Sequence, residues 1–271
     1  MSAAHQPLCV WDAQCVLGEG CVWLPADQTL YFVDIKGKAV HAYTPTTAQQ
    51  RSWPMPEKIG WLIPKRSGGW IAGLQSGVVS LNLDTPTPSI HWQHRLHPEG
   101  SPMRLNDAKA DTQGRVWFGS MHNVDDTQKL GKFYRLDPDG RLEVVDEGYG
   151  VTNGPTFSLD GRTLFHTDSA AQKIYAFDVS ASGGLSGKRL WLQFSSSDGY
   201  PDGMTTDAQG RIWIAHWSQA CVTCHDPATA AVTHGRDRTV ASLLITFLPC
   251  SARSAIILAV GGKYLGGFGV F

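Results

Sequence analysis

A turn followed by a short alternating strand recurs five times along the 271-residue chain, and this repeat constrains the fold more than any other feature. The copies are PADQTLYFVD (25–34), RSGGWIAGL (66–74), DTQGRVWFGS (111–120), LDGRTLFHTD (159–168) and DAQGRIWIAH (207–216). With Leu30, Trp70, Trp117, Leu164 and Trp213 taken as equivalent, successive spacings are 40, 47, 47 and 49 residues. A second alternating segment follows each copy: AVHAYTP (39–45), GVVSLNLD (77–84), KFYRLDPDG (132–140), KIYAFDVS (173–180) and CVTCHDP (221–227). Period-2 alternation marks half-buried strands, and the Asp-Gly and Gly-rich turns supply the positive φ that hairpins need. Hairpin-bearing units of this length match the blades of an all-β propeller, and the chain length divided by the period predicts six.

The sixth copy should centre near residue 260, but no Asp-Gly-aromatic unit is there. From Thr239 to Phe271 the only charged residues are Arg253 and Lys263. Pro249 and Arg253 interrupt the apolar stretch, so it does not read as a membrane span. The tail is either an altered C-terminus or a divergent last blade, and we expect a single propeller domain over 1–271 with recognisable blades at about 15–235.

Lys plus Arg is 23 against 24 Asp plus Glu, for a net charge of -1. So even a balance argues against nucleic acid or an anionic membrane as partner. The first residues lack the basic start and apolar run of a secretory signal, and six cysteines in a chain this long make no disulfide scaffold. These features lead us to expect a reduced, cytoplasmic protein. Cys221 and Cys224 form a C-x-x-C, but three residues apart on a strand they point to opposite faces. His91, His94 and His97 lie three apart in a strand-and-loop context rather than on a helix. His216 follows a repeat strand and reads equally as channel-facing or structural. There is no G-x-S-x-G, P-loop or G-x-G-x-x-G.

In a propeller, distant segments meet at a central channel, so acidic and amide residues in equivalent loops are the candidates for chemistry. Four segments stand out: LGEG with Glu19, RLNDAKAD with Arg104, Asn106 and Asp107, GVTNGPTFS with Asn153, and GYPDGMTTD with Asp202. Each precedes a repeat strand by a similar distance, which places them at one end of the channel. Taken singly, each is an ordinary Asx-Gly or Gly-flanked turn. Together, Glu, Asn and Asp without His or Cys make a hard oxygen-ligand set suited to a divalent cation such as Ca²⁺, Mg²⁺ or Mn²⁺.

LGEGCVWLPADQTLYFVDI, RLNDAKADTQGRVWFGSM, GVTNGPTFSLDGRTLFHTDS and YPDGMTTDAQGRIWIAHW resemble the regucalcin/gluconolactonase (senescence-marker-protein) family, over about residues 15–227. The resemblance implies a six-bladed propeller with one divalent cation in its channel (Ca, Zn, Mg, Mn or Fe) that hydrolyses sugar lactones. It assigns metal binding to Glu19, Asn153 and Asp202, and substrate contacts to Arg104 and Asn106. GSMHNVDD offers no clear match to a further acidic substrate contact of some members, and the family's continuation past the HDP-like unit has no counterpart here. The expected activity is metal-dependent hydrolysis of an aldonolactone to the aldonic acid, with Asp202 as metal ligand and general base, in a protein expected to be monomeric. The alternatives are a propeller esterase or phosphotriesterase and a non-catalytic calcium-binding propeller.

Overall fold

The computed structural model describes residues 9–219, 221–234 and 256–257. After a short strand β1 (Cys9–Trp11), the chain forms five four-stranded antiparallel meanders. The first holds β2 (Gly18–Leu24), β3 (Thr29–Asp34), β4 (Ala39–Thr44) and β5 (Gln49–Pro54). The second holds β6 (Ile59–Pro64), β7 (Trp70–Leu74), β8 (Gly77–Asn82) and β9 (Ser89–Arg95). The third comprises β10 (Met103–Ala110), β11 (Val116–His122), β12 (Gly131–Leu136) and β13 (Leu142–Tyr149). The fourth comprises β14 (Thr152–Phe157), β15 (Thr163–Asp168), β16 (Lys173–Val179) and β17 (Leu185–Gln193). The fifth is β18 (Tyr200–Thr206), β19 (Ile212–Trp217), β20 (Cys221–His225) and β21 (Val232–His234). A last strand, β22 (Ile256–Ile257), pairs antiparallel with β1.

Each sheet keeps its strands in chain order, and successive sheets stack face to face, which is propeller architecture. The apolar clusters lie between blades. Tyr31, Val33 and Val40 of blade 1 pack with Leu62, Ala72 and Val79 of blade 2. Trp61 and Val78 meet Phe118 and Tyr134 across the next interface. Trp117 and Phe133 meet Leu164 and Phe177, and Phe165 and Ile174 meet Ile212 and Ile214. Alternation along each strand therefore serves two interfaces at once, which is why so many strand positions are buried.

The five repeat residues used to set the period fall on β3, β7, β11, β15 and β19, the second strand of each blade. Two of the turns show why the repeat is written as it is. Asp111 Oδ2 accepts from Arg115 Nε at 2.6 Å and Trp117 Nε1 at 3.0 Å, while its Oδ1 takes the N–H groups of Gln113 and Arg115. Asp207 does the same for Arg211, Trp213 and Gln209. The D-x-Q-G-R-x-W string is thus a single hydrogen-bonded hairpin, and in blade 3 its Trp117 is buried against blade 4.

The expectation of six blades is corrected: the described residues form five. The turn signature that generates each blade is absent from the sequence after His234. The expected sixth blade falls on 235–271, which lies outside the described residues except for β22.

Candidate active site

The innermost strands β2, β6, β10, β14 and β18 lie side by side around the channel. In four of them the ladder to the second strand breaks at an equivalent place, Glu19/Val22, Leu105/Ala108, Asn153/Thr156 and Pro201/Met204, and in β6 it breaks one pair earlier, at Ile59/Trp61. A bulge bends the strand and re-aims a side chain. The residues at the five breaks are Glu19, Gly60, Asn106, Asn153 and Asp202. The sequence reading put the candidates in loops ahead of the strands. The structure corrects this: they lie within the innermost strands, held by a repeated irregularity.

Gly60 supplies no donor but makes room. A Cβ there would stand 2.6 Å from the Asn106 carbonyl oxygen and 2.7 Å from that of Leu105. Gly154, next to Asn153, has φ +39, and its Cβ would stand 2.7 Å from the Asp202 carbonyl oxygen. Both glycines let neighbouring inner strands approach to backbone contact, which draws the polar side chains together.

One hydrogen-bond chain runs through blades 3, 4 and 5. Arg104 Nη1 donates to Asn106 Oδ1 at 2.5 Å and to the Leu105 carbonyl at 3.1 Å. Asn106 Nδ2 donates to Asn153 Oδ1 at 2.9 Å and to the Thr152 carbonyl at 2.6 Å. Asn153 Nδ2 donates to Ser169 Oγ at 2.9 Å, and Ser169 Oγ to the Pro201 carbonyl at 2.6 Å, one residue before Asp202. Arg104, Asn106, Asn153 and Asp202 are all buried.

Glu19 joins them electrostatically. Burial, then the charge of Asp202, pushes its carboxyl well above the usual carboxylate range, with Arg104 opposing. Burial, then Asp107, pushes Asp202 up to about 7. Burial lowers Arg104, while Glu19 and Asp202 hold its charge in place. So all five predicted site residues gather at one end of the channel, drawn from blades 1, 3, 4 and 5.

Asp107 was noticed in the sequence but given no role. Its Oδ2 accepts from the Gly154 N–H at 2.7 Å and its Oδ1 from the Ala108 N–H at 2.7 Å. It ties blade 3 to the bulge carrying Asn153. The signal was its place beside Asn106, but only the fold shows what it bonds. The other candidates resolve as structure. His216 Nε2 lies 2.7 Å from Thr223 Oγ1, and its ring packs against Phe194. On the outer strand β9, His91 meets Ser89 and His94 meets the Gly140 carbonyl. Cys221 and Cys224 are both buried in β20.

The model of the SMP-30/Gluconolactonase/LRE-like region matches residues 17–236, most of the chain. The chain belongs to this family. It is 34% identical to a pentonolactonase of Haloferax volcanii over 219 residues, 80% of this chain and 72% of that protein. It is 31% identical to regucalcin of Xenopus laevis, over 82% of this chain and 75% of the relative. Among solved structures, a luciferin-regenerating enzyme superposes with TM-score 0.80 at 26% identity, covering 86% of this chain and 79% of that one. A calcium-binding regucalcin from Agrobacterium tumefaciens gives TM-score 0.78 at 20% identity, covering 84% and 77%, and supports the fold.

The family implies a channel cation, and the side chains fit one. Glu19 and Asp202 face the buried Arg104 guanidinium, burial raises the proton affinity of Glu19, Asp107 and Asp202, and a neighbouring carboxylate raises those of Glu19 and Asp202 further. A dication relieves that excess negative charge. Asn153 has its amide nitrogen held by Ser169, which turns Oδ1 toward the site. Two carboxylates and an amide oxygen are the donors a hard cation takes.

Proposed function

We propose that this protein hydrolyses a sugar (aldono) lactone to its aldonic acid, using one divalent cation held by Glu19, Asn153 and Asp202. The observation that carries the reading is the convergence of these three oxygen donors, from blades 1, 4 and 5, beside Arg104 and Asn106. Family membership and relatives named as lactonases support it.

When bound, the cation supplies Lewis-acid polarisation of the lactone carbonyl. The remaining work falls to the chain. Asp202, with proton affinity raised toward neutrality, takes a proton from the water that attacks the carbonyl carbon. The bond from that carbon to the ring oxygen breaks, and the proton passes to the departing oxygen, which becomes the hydroxyl of the open-chain acid. Arg104 spends Nη1 on Leu105 and Asn106, and a guanidinium has five N–H donors. Its remaining donors face the substrate hydroxyls and carbonyl. Asn106 holds Arg104 and Asn153 in register and offers its amide to the sugar when either bond is exchanged. Asp107 fixes the backbone beside Asn153.

The test is acid release, followed by pH-stat, from gluconolactone and from pentonolactones, against an aryl ester and a phosphotriester. Faster turnover of the sugar lactones supports the reading. Preference for the aryl ester or phosphotriester replaces it with the esterase alternative, and tight ion binding without any turnover replaces it with a binding protein.

A further inference from the structure

Blades 1 and 4 share one backbone device. Asp34, closing β3, accepts from the N–H groups of Val16 (Oδ2, 2.9 Å), Leu17 (Oδ1, 2.9 Å) and Gly37 (Oδ1, 2.8 Å). Asp168, closing β15, accepts in the same order from Gly150, Val151 and Ala171. Each carboxylate ties the segment entering the inner strand to the hairpin beyond the second strand. The equivalence extends to the residues around it. Tyr149 precedes the capped pair in blade 4, and Cys15 precedes it in blade 1. Tyr175 faces His166 across β15 and β16, and His41 faces Phe32 across β3 and β4. Blade 4 fills the frame with two tyrosine rings 6.1 Å apart. Blade 1 places a thiol and an imidazole around the same carboxylate.

One ligand atom from each of Cys15, Asp34 and His41 lies within 4.8 Å of the others. His41 Nδ1 is 2.8 Å from Ser52 Oγ, so Nε2 is the nitrogen left for a ligand. A ring nitrogen hydrogen-bonded on its far side is the usual state of a metal-binding imidazole. Asp34 Oδ2 carries one N–H where Oδ1 carries two, and a carboxylate oxygen accepts about two. Trp11 stands edge-on to His41 at 5.5 Å and to Phe32 at 5.6 Å, walling the cluster.

We propose that Cys15 Sγ, His41 Nε2 and Asp34 Oδ2 form a second metal site, for a borderline-soft dication of the Zn²⁺ class. Mixed S, N and O donors select such an ion, whereas the all-oxygen channel set favours a harder one. Bond lengths of about 2.0–2.3 Å place tetrahedral ligands roughly 3.5 Å apart, so the three side chains close by about 1 Å on binding. The thiol proton leaves to solvent, one thiolate and one carboxylate neutralise the dication, and water fills the fourth position. The ion would clamp the segment that leads into Glu19. The site stands independently of the reaction proposed for the channel.

Cobalt(II) titration of the purified protein tests it, because a thiolate ligand gives a near-ultraviolet sulfur-to-metal charge-transfer band that oxygen ligands do not. With the channel site first loaded with Ca²⁺, we expect the band to saturate at one equivalent, to be displaced by Zn²⁺, and to persist in Glu19→Gln and Cys21→Ser. Cys15→Ser should abolish it, and His41→Gln should weaken the Co²⁺ affinity of the band at least tenfold. No band at several equivalents, a band that survives Cys15→Ser, or one lost with Cys21→Ser overturns the proposal. If circular dichroism shows Cys15→Ser unfolded, His41→Gln decides: unchanged affinity overturns the site, and the tenfold loss supports it.

Discussion

At the scale of single residues, the site is a set of buried charges whose environment sets their chemistry. Asp202→Asn keeps an oxygen donor and removes the proton acceptor. We expect kcat to fall by roughly 10²–10⁴, the usual range for a general base, with a smaller loss in metal affinity. Steady-state kinetics at saturating cation check this, and near-native kcat removes Asp202 as base. His166 gives a pH prediction. It is fully buried, 3.9 Å from the Phe133 ring, and burial drives it from the usual 6.5 down to about 3. Below pH 6.5 the unfolded chain binds this proton and the folded one does not, so the group lowers stability as pH falls from 6.5 toward 3. The equivalent position in blade 1 is Phe32, so His166→Phe suits the frame. Urea melts should show the variant gaining roughly 2–3 kcal/mol on wild type between pH 7.5 and 4.5. A gap that stays constant with pH contradicts the burial argument. Glu19, Asn153 and Asp202 were legible in the sequence because each belongs to a short Gly-bearing motif at a fixed distance from a repeat strand. The bond from Asp107 to Gly154 and the ring stack on His166 were not, because each depends on a residue tens of positions away.

Hairpins and bulges act at the scale of the element. The Asp111 carboxylate satisfies two backbone N–H groups, a guanidinium and a buried indole N–H. Asp111→Ala leaves those donors unpaired at about 1–3 kcal/mol for a buried polar group. For a chain this size that lowers Tm by roughly 2–5 °C, measurable by calorimetry. A shift below about 1 °C, the scale of a neutral surface change, would show that the turn does not need its carboxylate. The second and third strands of every blade were readable because they alternate and follow Asp/Gly turns. The site-bearing segments of four innermost strands were read as loops. Their motifs, LGEG, RLND, VTNG and YPDG, carry turn residues because the strands are bulged at the site. The polar residues that disguise them as loops are the ones the proposed function uses.

For the whole molecule, a period of 40–49 residues was enough to specify blades, and four apolar clusters joining blades 1 to 5 in sequence show what the period packs. Dividing length by period gave six, and the described residues give five. The arithmetic counts residues whether or not they carry the turn signature, and those beyond His234 do not. The propeller earns its function by bringing β2, β14 and β18, more than 180 residues apart at the extremes, to one channel mouth. The most direct test is calorimetric titration of chelator-treated protein with Ca²⁺ or Mn²⁺, paired with lactone hydrolysis at each addition. Hydrolysis should be lost on chelation and return in step with one equivalent bound. In Glu19→Gln the same titration should show at least tenfold weaker binding and a matching loss of turnover, with the fold unchanged by circular dichroism. Full hydrolysis in chelator, or a Glu19→Gln protein that binds the ion and turns over lactone like wild type, would contradict a channel cation held by Glu19, Asn153 and Asp202.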